Sequence, residues 1–75
     1  MATTPEWKDY ARRLLKAELK ERRITYYDLS DRLYRLGVTE FEWGIRNKIS
    51  RGSFSAVFLL QCLHAIGATH LQLRK

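Results

Sequence analysis

One dense run of hydrogen-bonding side chains in the sequence is Arg46, Asn47, Lys48, Ser50 and Arg51. An arginine fork fits the guanine edge, an asparagine amide fits adenine, and Arg46, Asn47, Lys48 and Arg51 all suit phosphate oxygens. Twenty residues earlier, Tyr26 and Tyr27 follow Thr25 at a helix start, where backbone N–H groups and hydroxyls can anchor a phosphate. Trp43 stands one helical turn before Asn47, either as an apolar staple against Val38 or as an exposed contact residue. Tyr26, Tyr27, Trp43, Arg46, Asn47, Lys48, Ser50 and Arg51 are thus the candidate set for contact with double-stranded DNA. The competing reading makes the same cations a solvated face whose charges complement the carboxyl end of a helix.

Other chemistries find less support. Cys62, His64 and His70 are the soft metal ligands, but Cys62 and His64 are two apart on a helix and diverge. No metal or cofactor is expected. A Gly-rich phosphate loop and a nucleophile signature are both missing, so the chain reads as a non-enzyme without a small-molecule substrate. Arg12, Lys16 and Lys20 align at i, i+4 and i+8, which reads first as a solvated face and second as a phosphate-tracking stripe. Glu40 and Glu42 at the head of the same helix as Arg46 oppose simple DNA reading. They favour the alternative, a protein-interaction module of the same fold.

Four helices must carry these residues. Thr4 and Pro5 predict a cap and first turn for a helix running to about Arg22, with Trp7, Tyr10, Ala11, Leu14, Leu15 and Leu19 as its buried stripe. Asp9–Arg13 and Glu18–Arg22 are favourable i,i+4 pairs on its other faces. A second helix runs from Thr25 to about Leu36 and a third from Thr39 to about Ser50. Both starts pair a Thr cap with an acid three residues on (Asp28 and Glu42), the pattern of a capping box. Leu29, Leu33 and Leu36 would face inward from the second helix, and Phe41, Ile45 and Ile49 from the third. Gly37, Gly52 and Gly67 suit helix ends. The fourth helix, from about Ser53 to Ile66, is apolar around most of its circumference and reads as the central post of the core. Gly44 interrupts the third helix, with close helix packing as the expected reason. Residues 68–75, with Leu71 and Leu73, read as a frayed end, a short strand or a partner-docking tail.

Composition sets the frame. Seventy-five residues with 45% hydrophobic content support one packed domain over residues 1–75. The single cysteine excludes an intrachain disulfide and fits a reducing compartment. With no signal-peptide pattern at the start and no apolar run long enough for a bilayer, a cytoplasmic location and no membrane partner are expected. Fourteen basic residues against eight acidic ones give a net charge of +6, which raises the prior for a polyanionic partner. So small a domain offers few contacts, so a homodimer or protein partner is expected to complete any useful specificity, with Trp43, Leu71 and Leu73 as contact candidates.

The run Ile49-Ser50-Arg51-Gly52 closing the third helix and Ala65-Ile66-Gly67 closing the fourth resemble the lambda-repressor-like helix-turn-helix fold. That resemblance implies an all-α domain, a compact bundle of four or five helices, in which the third helix meets DNA and the domain serves in transcription regulation. The longer string from Leu15 through Arg22, Arg46 to Gly52 and Leu60 to Leu63 also looks like a small bacterial domain family that brings no established activity. Three departures stand out: a longer link from Leu33 to Gly37, a four-residue spacing of Ile45 and Ile49, and a short loop after Gly52. Each bears on how the third helix would sit in a groove.

Overall fold

A computed structural model of the protein describes residues 3–73. Helix α1 spans Thr4–Glu21, α2 Tyr26–Arg35, α3 Glu42–Arg51 and α4 Ala56–Ala65, with no strand among the described residues. Every helix places two buried side chains one turn apart in the same core: Leu15 and Leu19, Leu29 and Leu33, Ile45 and Ile49, Phe58 and Cys62. Leu63 and Ile66 complete it. Spacing by four keeps both members of a pair on one helix face, so a ten-residue helix can grip the core with a single stripe. α3 packs against α1 and α2, and α2 packs also against α4. The burial of the Cys62 thiol pushes its pKa up to about 12, so it is a core side chain and not a nucleophile.

The start of α2 and the carboxyl ends of the helices follow the local sequence. Thr25 accepts from the Asp28 N–H (3.0 Å) and the Asp28 carboxylate accepts from the Thr25 N–H (3.1 Å), so the expected capping box opens α2. Bonds from Ile24, Val38 and Ala68 back to Leu19, Leu33 and Leu63 close α1, α2 and α4 as Schellman motifs. The left-handed residue is Gly37 in α2 and Gly67 in α4, but it is Arg23 in α1, at φ 56°. α3 ends at Gly52, φ 67°, where a Cβ would lie 2.8 Å from the Lys8 carbonyl carbon. Glycine is therefore required there twice over, by its backbone angle and by the approach of α1. Arg12 fixes the same joint by donating to the Ser50 carbonyl (3.1 Å), so α1 and α3 run antiparallel. The i,i+4 pairs Asp9–Arg13 (2.9 Å) and Glu18–Arg22 (2.8 Å) form as expected.

Several expectations are corrected. Thr3, not Thr4, caps α1, with Glu6 closing its box and Pro5 inside the first turn. α3 does not begin at Thr39: it starts at Glu42, Phe41 is its cap residue, and no side-chain cap bond forms. The cause is that Glu40 is claimed from both sides. Its carbonyl accepts from the Ser30 hydroxyl and its carboxylate pairs with Lys48, which holds the chain extended for one more turn. Phe41 is consequently 62% exposed rather than in the inner row, and Leu36 is also exposed at the end of α2. Val38 packs on the core, while Trp43 is 68% exposed and no staple closes.

α4 starts at Ala56 with Ser55 as its cap, three residues later than expected, and it is not an all-round post: Val57 and Leu60 point to solvent. In α1 only Leu15 and Leu19 are buried, and Trp7 is exposed. Gly44 has no tight neighbour, since a Cβ there would meet only Glu40 Oε2 at 3.7 Å. No fifth helix follows α4 among the described residues; Leu71 packs part-buried on the core and Leu73 is exposed. Arg74 and Lys75 of the expected tail lie outside the described residues.

Candidate functional site

α3 turns Ile45 and Ile49 into the core, so Trp43, Asn47 and Ser50, at i, i+4 and i+7, form its outer stripe. All three are exposed. The Asn47 carbonyl accepts from Arg51 Nε (3.4 Å), which lays the Arg51 side chain along the helix end. This stripe has cations on both borders, and the two borders are built differently.

On the α1–α2 border, Lys16, Lys20, Thr25, Tyr26, Glu42 and Arg46 surround an open groove of about 470 Å³, floored by Leu19 and Ile24. The Arg46 guanidinium lies 5.8 Å from the centre of the Tyr26 ring, a cation–π distance that joins the middle of α3 to the start of α2. Tyr26 is itself half-buried against the core, so the ring is a fixed platform. Glu42, the one carboxylate on this lining, stands 4.0 Å from Arg46. Exposed pairs at such a distance contribute little, so Arg46 is available to a stronger anion. The Asp28 carboxyl beside this groove is held below its ordinary range, first by the Thr25 backbone N–H and then by the Thr25 hydroxyl.

On the α4 border, Lys48 and Arg51 flank a smaller hollow lined by Ser53, Phe54, Ser55 and Phe58. Lys48 is committed here: it pairs with Glu40, and its ammonium sits 5.0 Å from the centre of the Phe58 ring. Glu40, which opposed simple DNA reading in the sequence, is thus neutralised by Lys48, and Glu42 is the more exposed of the two acids. Tyr27 faces a third direction. With Ser30, Asp31, Tyr34, Thr39, Glu40 and Phe41 it lines a groove that holds no basic side chain.

Of the eight residues singled out from sequence, Tyr26 and Arg46 are in direct contact, and Trp43, Asn47 and Ser50 share the surface next to them. Lys48 and Arg51 lie on the opposite flank, and Tyr27 lies on neither. Lys16 and Lys20 are the additions from outside that set. Their four-residue spacing is visible in the sequence, but their nearness to Arg46 depends on the antiparallel docking of α1 against α3. Among the described residues no group of three or more Cys, His, Asp or Glu could hold a metal, and no helix is long and apolar enough to cross a membrane.

Set against known protein families, the chain belongs to one described as a domain of unknown function (DUF6471), which covers residues 7–71 and so includes every core side chain. No curated protein and no solved structure matches it.

Proposed function

We propose that this domain binds double-stranded DNA as a lambda-repressor-like helix-turn-helix, with α2 and α3 as its two helices, in a regulatory role. The observation that carries the reading is the outer stripe of α3, Trp43, Asn47 and Ser50, bordered by Lys16, Lys20 and Arg46 on one side and Arg51 on the other. A helix lying in a major groove has a phosphate strand along each of its flanks, and that is the charge pattern a groove-bound helix needs. In this mechanism Tyr26, Lys16, Lys20 and Arg51 hold phosphates. Arg46 and Asn47 reach base edges, and Trp43 and Ser50 make the adjoining contacts. Lys48 contributes chiefly by neutralising Glu40, which removes an acid that would otherwise repel the backbone.

Fluorescence anisotropy of a labelled random duplex, titrated with protein over a rising salt series, tests the reading. The three cationic phosphate contacts give a log–log slope of about −2.7, and Lys16→Ala should reduce that slope by about one. Arg46→Ala with Asn47→Ala should weaken binding to a selected site by tenfold or more, at roughly 1–3 kcal/mol per bidentate base contact. Folded protein that binds no duplex even at low salt overturns the proposal. The second reading, a protein-interaction module, would then lead. It has its own support in the groove of Tyr27, Tyr34 and Phe41, which carries Asp31 and no base.

A further inference from the structure

Glu42 is the one carboxylate on the lining of the basic groove, and the fold leaves it without the task its spacing predicts. α3 opens with no side-chain cap bond, so Glu42 closes no capping box. Its exposed carboxylate stands 4.0 Å from the Arg46 guanidinium, one turn further along α3. That is too long for a hydrogen bond, so neither group is taken up by the other. An acid in the first turn complements the helix dipole. The dipole accounts for the charge of Glu42 but not for its place beside Arg46 in a lining that also holds Lys16 and Lys20.

We propose, on the basis of the DNA reading above, that Glu42 and Arg46 together read one G·C base pair in the major groove, with the Tyr26 ring positioning Arg46. The edge of a G·C pair offers two acceptors on guanine, N7 and O6, and then one donor on cytosine, N4. Arg46 supplies a fork of donors and Glu42 an acceptor beside it, which is the complement of that pattern. Guanine O6 and cytosine N4 are hydrogen-bonded to each other and so lie about 3 Å apart. Two side chains one helical turn apart can meet atoms that close together. An A·T pair instead sets the adenine N6 donor against the guanidinium and the thymine O4 acceptor against the carboxylate. Two features favour a base edge over a phosphate as the partner of Arg46. A phosphate that reached Arg46 would also meet the Glu42 charge, whereas a base edge is neutral. The guanidinium also lies 5.8 Å from the centre of the Tyr26 ring, which is itself half-buried on the core. A side chain already held against a fixed ring loses less freedom when it docks. Lys16 and Lys20 remain for the phosphates on this border.

Selection of a preferred site from a random duplex library, followed by anisotropy titration of that duplex and its single-pair variants, tests this. The selected site should contain a G·C pair whose replacement by A·T weakens the parent about tenfold or more. Glu42→Gln should shrink that penalty to roughly threefold or less, because a glutamine amide also fits adenine. The same variant should bind random duplex more tightly than the parent, because an acid has left the face. Tyr26→Leu should lose the discrimination too, and Tyr26→Phe, which keeps the ring, should retain it; circular dichroism checks that each variant is folded. A Glu42→Gln chain that tightens equally on every duplex and keeps the parent's G·C preference overturns the proposal while the DNA reading stands. A selected site without such a pair does the same. Discrimination that survives in folded Tyr26→Leu overturns the role of the ring. A folded parent that binds no duplex overturns the DNA reading itself, and this base-pair assignment with it.

Discussion

At the scale of single residues, Arg23 is a side chain whose backbone the fold needs and its chemistry does not favour. It occupies the left-handed position that ends α1, where α2 and α4 use Gly37 and Gly67. For a residue with a Cβ that conformation costs about 1–2 kcal/mol. Arg23→Gly should therefore raise stability by about 1 kcal/mol, read as a melting-temperature gain of roughly 4–8 °C for a domain of this size. A drop in melting temperature would mean that Arg23 makes a contact worth more than its strain. Gly52→Ala is the opposite case. It adds the left-handed cost to a collision with the Lys8 backbone, and it should unfold the joint between α1 and α3 or weaken it by well over 2 kcal/mol. Equal stability of Gly52→Ala and the parent in urea would show that the joint tolerates a Cβ after all.

At the scale of elements, two look-alike helix starts behave differently. Thr25 and Asp28 form the capping box that their spacing predicts, and Thr39 and Glu42 do not. Local pattern was sufficient for α2 because nothing else competes for its first turn. It failed for α3 because Ser30 and Lys48, ten residues before and eight residues after Glu40, hold that residue outside the helix. The same division runs through the site. The outer stripe of α3 follows from its helical period and was legible. The partnership of Lys16 and Lys20 with Arg46, and the withdrawal of Lys48, depend on tertiary docking and were not. Thr25→Ala should cost about 1 kcal/mol and Thr39→Ala should be nearly neutral. The Asp28 carboxyl is held low in the folded chain, so the stability it lends is present above its ordinary pKa and is lost as pH falls through its folded value. Acid-range melts of Asp28→Asn should lack that part of the parent's decline; identical curves would remove Asp28 from the cap energetics.

At the scale of the whole molecule, charge is unevenly divided along the chain. The proposed DNA face draws Lys16, Lys20, Arg46 and Arg51 from α1 and α3, whereas the sequence from Gly52 to Leu73 has no Asp, Glu, Lys or Arg. Binding at the basic face releases counterions from the duplex, so affinity falls as salt rises. If α1 belongs to that face, Lys20→Ala should weaken binding at low salt and reduce the log–log slope by about one, although Lys20 lies outside the two helices that would define a helix-turn-helix. Anisotropy titrations of parent and variant over the same salt series check this. Equal slopes would take α1 out of the DNA face and leave the duplex to α2 and α3 alone.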